Sequence, residues 1–138
     1  ETMETITFDE SRLPLVIVTF RGTASQEEFE EYLRRLGANL ARRQPTAVII
    51  DSRQAVTMPA AQRKRQADWI DSNREDLRRY SAGTAFIIES SLMRGALTAI
   101  FWLTKYETPY VVVATFEAAE AWAIECLRNA DAPTAYEL

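Results

Sequence analysis

Two short runs hold the side chains best suited to chemistry. Asp51, Ser52 and Arg53 form one; Glu89, Ser90 and Ser91 form the other, with Arg94 one helical turn beyond it. Guanidinium and hydroxyl groups beside helix N-termini can hold an anion such as a phosphoserine, a nucleotide phosphate or a carboxylate. The plainer reading of the same residues is ion pairing, Asp51 with Arg53 and Glu89 with Arg94, while the serines cap helices. Two carboxylates can also divide acid and base work. Nothing in the spacing of Asp51 and Glu89 requires that, and no enzymatic activity is expected. Ser52 and Thr57 are the hydroxyls that a kinase could modify. A phosphate there would be stabilised by the helix dipole and would repel a docked partner; unmodified, either is an ordinary loop hydroxyl or N-cap.

What the sequence omits narrows the chemistry further. Histidine is absent, which removes His-based triads, His general bases and His metal ligands, so no metal site and no cofactor are expected. The single cysteine, Cys126, cannot form an internal disulfide and points to a reducing compartment. Its neighbours Trp122, Ala123 and Leu127 suit core packing, and no histidine stands by to activate it. A net charge of −4 argues against nucleic acid as a partner, because that affinity rests on neutralising phosphates. No apolar run approaches the roughly 18 residues a spanning helix needs, and no export signal stands at the start. A cytoplasmic protein is expected. With 138 residues, 47% apolar and 26% charged, the chain is read as one domain with a core over about 4–129 and a tail over 130–138.

The elements that must position these residues follow from periodicity and punctuation. Residues 4–9 alternate and predict a short strand, Glu10 to Arg12 a turn, and residues 14–21 a second strand closed by Gly22, the two pairing as an antiparallel hairpin. Ser25 with Glu28 makes a capping box, and Phe29, Leu33, Leu36 and Leu40 share one helical face behind it. Glu30 with Arg34 and Glu31 with Arg35 stand at i, i+4. The compact apolar runs 46–51, 84–89 and 110–115 read as buried strands. A polar loop is expected from Ser52 to Met58, one helix from Pro59 to about Tyr80, another from Ser90 or Ser91 to Lys105, and a last one over 116–129 capped by Thr115. The fold class is therefore α/β: a five-strand mixed, mostly parallel sheet with four helices, in the order β-β-α-β-α-β-α-β-α. Right-handed crossovers make strands two to five parallel.

This order resembles the STAS-like, or SpoIIAA-like, domains, which include anti-sigma-factor antagonists and STAS/SEC14-like bacterial proteins. The strongest local likenesses are VIIDSR at 48–53, TAFIIESSLMRGALTAIFWL at 84–103 and VVVATFEAAEAW at 111–122. Phosphorylated antagonists carry a serine pair and glycines after the third strand. Here the loop reads DSRQAVTMPAAQ, where Ser52 and Thr57 are the only hydroxyls that can stand in. The resemblance implies a regulatory or scaffold domain that binds a partner protein, or a second copy of itself. Its alternative implication is a small-ligand or lipid-binding domain with an apolar pocket of SEC14-like habit, for which an anionic or lipid ligand would serve.

Two further surfaces bear on a partner. On the helix after the fourth strand, Leu92, Met93, Ala96, Leu97, Ala99, Ile100 and Leu103 are read as the core face. Phe101 and Trp102 fall outside it, on either side of a strip of Arg94, Thr98 and Lys105. Surplus aromatics beside basic groups are common interface anchors, unless neighbouring helices cover the rings. The helix over 59–80 has a thin apolar stripe of Trp69, Ile70, Leu77 and Tyr80. It carries six basic residues against four acidic ones, net +2, which reads as a solvated face or as a weakly basic contact for an acidic partner, nucleic acid or anionic lipid headgroups.

Overall fold

The near-continuous apolar runs imply a sheet covered on both faces, and a computed structural model, which describes residues 5–130, shows it. The elements are β1 Ile6–Arg12, β2 Leu15–Gly22, α1 Gln26–Ala41, β3 Thr46–Ala55, α2 Ala60–Ser72, α3 Arg74–Tyr80, β4 Ser81–Ile87, α4 Ser91–Leu103, β5 Tyr110–Val113 and α5 Phe116–Asn129. The strands lie in sequence order, with β1 antiparallel to β2 and each later neighbour parallel. The expected start of the first strand at residue 4 and the tail beyond residue 130 lie outside the described residues.

Successive side chains of a strand point to opposite faces. One face carries Leu15, Ala47, Ile49, Ala85 and Ile87 against Ala119, Ala123 and Leu127 of α5. The other carries Val16, Val18 and Phe20 against Phe29, Tyr32 and Leu33 of α1, and α2 and α4 continue that layer through Ala67, Ile70 and Ile100. Each fully buried aliphatic or aromatic side chain contributes about 1.5–3 kcal/mol. The capping box is present: Ser25 Oγ accepts from the Glu28 amide at 3.1 Å, and Glu28 Oε1 accepts from the Ser25 amide at 2.8 Å.

Several boundaries differ from the sequence expectation. Among the described residues there are five helices rather than four, because the segment over 59–80 breaks at Asn73. There the backbone leaves helical geometry at φ −115° and ψ 17°, and the Asn73 side chain donates to the Trp69 carbonyl at 2.9 Å, the local competition that makes Asn a poor mid-helix residue. The first strand runs on to Arg12, and the turn is Leu13-Pro14, whose peptide bond is cis. Its polar residues are tolerated because β1 is an edge strand, where Glu10 pairs with Arg35 at 2.7 Å and Arg12 with Glu120 at 2.7 Å. β3 likewise runs to Ala55, since Arg21 and Gly22 of β2 pair with Gln54 and Ala55. On α1, Arg34 pairs with Glu31 and Arg35 reaches Glu10, in place of the expected i, i+4 pairs.

Gly83 sits inside β4. A Cβ there would meet Trp122 Cη2 at 2.8 Å and Cys126 Sγ at 2.9 Å, so glycine is what lets α5 lie close on the sheet.

Candidate functional site

Extension of β3 past Asp51 decides how the first polar run is displayed. Asp51 follows Ala47 and Ile49 onto the α5 face, while Ser52 follows Val48 and Ile50 onto the face beneath α1, α2 and α4. Asp51 is buried, and Arg53 saturates it: the Arg53 amide and Nε donate to Oδ1 at 3.1 and 3.0 Å, and a guanidinium NH2 donates to Oδ2 at 2.8 Å. Burial pushes the Asp51 carboxyl up, but the hydrogen bonds and charge of Arg53, with Arg21 nearby, outweigh it and hold the group below the usual carboxylate range. The same contacts raise Arg53 further.

The second run is displayed differently. Glu89, Ser90, Ser91 and Arg94 are all exposed at the start of α4, and Ser90 Oγ caps the helix by accepting from the Met93 amide at 3.1 Å. Glu89 contributes its charge to Arg53, and no ion pair joins Glu89 to Arg94 among the described residues. The seven residues therefore do not converge on one point: Asp51 and Arg53 close on each other, Ser52 turns inward, and the rest face outward. Of the two candidate phosphosites, Ser52 is 7% exposed, whereas Thr57 is half-buried in the connection to α2. The N-cap of α2 is Pro59, which offers no side-chain bond.

Beneath the helical layer lies a cavity of about 110 Å³, partly open to solvent. Its floor is Val48, Ile50, Thr84 and Phe86; its roof includes Tyr32, Trp69, Ile100 and Phe101. No charged side chain is in its wall. Two buried polar side chains stand in the wall with hydrogen-bonding capacity to spare. Gln66 Oε1 accepts from the Tyr32 hydroxyl at 3.0 Å, which leaves the amide nitrogen without a partner among the described residues, and the Ser52 hydroxyl has none there either. The phenols are neutral hydrogen-bonding groups: burial pushes Tyr32 up, and it pushes Tyr106 up too, against the hydrogen bonds it makes. Tyr106 shares a 2.9 Å hydrogen bond with Thr84.

Phe101 and Trp102 have separate environments. Phe101 is half-buried, stacked on Tyr106 at 5.1 Å and packed against Tyr110 at 4.9 Å and Phe86 at 6.2 Å. Trp102 is 85% exposed. Thr98 is exposed, with its hydroxyl donating to the Arg94 carbonyl at 3.0 Å, and Lys105 is exposed just past the helix. The expected core face of α4 is too broad. Met93, Ala96 and Ile100 are buried, but Leu92 is 59% and Leu103 56% exposed. With Trp102 they make an outward apolar face.

Sequence reasoning missed Gln66 and Tyr32; an apolar pocket was expected only from the resemblance, with no residue assigned to its wall. The available signal was the pair Gln62 and Gln66, polar residues one turn apart among the buried positions of α2; Gln62 donates to the Ala24 carbonyl at 2.8 Å. Burial pushes the Cys126 thiol up, against the needs of a nucleophile. Among the described residues no cluster of metal-binding side chains occurs, and no helix is long and apolar enough to cross a membrane.

No protein-family model and no curated relative matches the chain. Solved structures do. The anti-sigma factor antagonist SpoIIAA in its unphosphorylated form aligns with a TM-score of 0.62 at 13% identity, covering 90% of this chain and 96% of that one. A protein with a SpoIIAA-like fold from Shewanella loihica PV-4 aligns with a TM-score of 0.60 at 15% identity, over 89% and 97%. SiaC, in complex with the diguanylate cyclase SiaD that it activates in Pseudomonas aeruginosa, aligns with a TM-score of 0.53 at 12% identity, over 81% and 95%. The chain has the SpoIIAA-like fold.

Proposed function

We propose that the chain is a regulatory interaction domain that binds a partner protein, or a second copy of itself, through the outward face of α4 and the adjoining end of β3. The observation that carries this reading is the exposure of Trp102 together with Leu92 and Leu103 on one helix. Three large apolar side chains left in water make a patch of the kind that marks interfaces, with tryptophan the strongest anchor type. Val56, exposed on the connection after β3, adds an apolar group to the neighbouring loop. Two proteins that share the fold act on other proteins, as an anti-sigma factor antagonist and as an activator of a cyclase, which supports the reading without carrying it. The saturated Asp51–Arg53 pair and the neutral, buried phenols supply no activated group, in keeping with binding rather than turnover.

The test is a photo-reactive side chain placed at position 98, exposed one turn from Trp102 on the same helix, in the native cell, with the untagged chain followed by sedimentation. A single cross-linked protein, or a dimer of this chain, is expected, and Trp102→Asp with Leu103→Asp should abolish it while the far-ultraviolet circular dichroism is unchanged. A chain that sediments as a monomer and cross-links to nothing above background sinks the proposal.

A further inference from the structure

We infer that the cavity between the sheet and the helices is a binding site for a neutral, mostly apolar small molecule carrying one oxygen acceptor, such as an alcohol, ketone or ester. Three observations on the wall lead there. The space, about 110 Å³, is several times the roughly 10–15 Å³ that one water requires by the same kind of measure. The wall is built mainly from aliphatic and aromatic side chains, which favours an apolar body over solvent. No charged residue lines it, so an ionised carboxylate or phosphate would be desolvated there without a partner, at prohibitive cost.

The polar element of the ligand follows from what the wall leaves unpaired. Gln66 is 9% and Ser52 7% exposed, and buried side chains of this kind nearly always have hydrogen-bond partners. Tyr32 occupies only the oxygen of the Gln66 amide. The amide N–H groups of Gln66 and the hydroxyl of Ser52 thus remain as donors on a mainly apolar surface, where Asn39, Thr46 and Thr84 are engaged within the protein. A small number of placed polar groups in an apolar cavity is how ligand sites orient their occupants. An oxygen acceptor can take a hydrogen bond from either donor, whereas a pure hydrocarbon leaves both unmet. The inference does not rest on the α4 surface, since Leu92, Trp102 and Leu103 are not in the cavity wall.

The experiment is a calorimetric titration of the full chain with 1-octanol, octane and octanoate at about pH 8, where the carboxylate is ionised. Octanol should bind saturably, and octanoate at least about tenfold more weakly, because its charge finds no partner. Ser52→Ala should weaken octanol about three- to tenfold, the worth of one hydrogen bond, and leave octane unchanged. Ala96→Phe, which puts a ring into the wall, should abolish binding of both; Leu97→Phe serves the same purpose if the first variant does not unfold cooperatively. Absence of saturable octanol binding overturns the inference. So does undiminished binding to a folded cavity-filled variant. Octanoate binding as tightly as octanol would overturn the neutral-ligand assignment, and an equal loss of octanol and octane in Ser52→Ala would overturn the assigned hydrogen bond.

Discussion

Tyr32 of α1 donates its buried hydroxyl to Gln66 of α2 at 3.0 Å, a buried bond that joins the two helices over the cavity beside the half-exposed Arg65–Glu30 pair at 2.9 Å. Phenol and amide are both shielded from water, so each depends on the other. Tyr32→Phe should cost about 1–2 kcal/mol by urea unfolding, because the Gln66 oxygen is left unsatisfied. Tyr32→Phe combined with Gln66→Leu should cost less than the sum of the single changes. Strict additivity would show that the bond carries no coupling.

Gly83 and Trp122 stand closer than any side chain at 83 would permit. Gly83→Ala places a methyl group within 3 Å of the indole and of Cys126, so it should destabilise by about 1–3 kcal/mol through overpacking. Trp122→Leu in the same chain should relieve much of that penalty. Equilibrium unfolding of the four proteins in the cycle measures it, and an unpenalised Gly83→Ala would mean that α5 shifts freely.

Asp51 and Arg53 predict a pH dependence with a definite sign. The Asp51 carboxyl titrates lower in the folded chain than in the unfolded one. Its contribution is therefore present above the unfolded value, about 3.9, and is lost as the pH falls through the folded value. Arg53→Gln removes the guanidinium's hydrogen bonds and charge, leaving only the amide of residue 53 and the Arg21 charge to oppose burial, so the carboxyl pKa rises from its value in the parent. The variant should lose on the order of 1 kcal/mol at neutral pH, modest because Arg53 is more than a third exposed and solvent screens the pair. It should then be less sensitive to acid than the parent below about pH 4. Parallel stability–pH curves for the two proteins would refute this account of the pair.

Phe101 and Trp102, adjacent in sequence, should respond oppositely to truncation. Phe101→Ala removes a ring from a cluster of four and should cost about 2–3 kcal/mol. Trp102→Ala should change stability by less than about 0.5 kcal/mol, as surface substitutions do. Thermal and urea denaturation of the two single variants separate the roles. A large loss from Trp102→Ala would place the indole in the core.

What the sequence determined by itself was whatever depends on near neighbours. The capping box of Ser25 and Glu28, the helical face of Phe29, Leu33, Leu36 and Leu40, the caps at Ser90 and Thr115, and the antiparallel-then-parallel strand order all follow from spacings of a few residues and from connection lengths. Tertiary structure decided the rest. β3 continues through Ser52 to Ala55 because β2 lies beside it and supplies backbone partners, something its polar composition does not announce. The break at Asn73 hangs on one side chain turning back to a carbonyl. An almost wholly apolar helix such as α4 does not declare which stripe its neighbours cover, so Leu92 and Leu103 read as core although they face water. The cavity is bounded by strands and by four helices at once, and no local pattern encodes an enclosed space. Ser52 shows the division most plainly: its hydroxyl was legible as a candidate site residue, but the pleat of β3 alone turned it inward, away from Asp51 and toward the space it shares with Gln66.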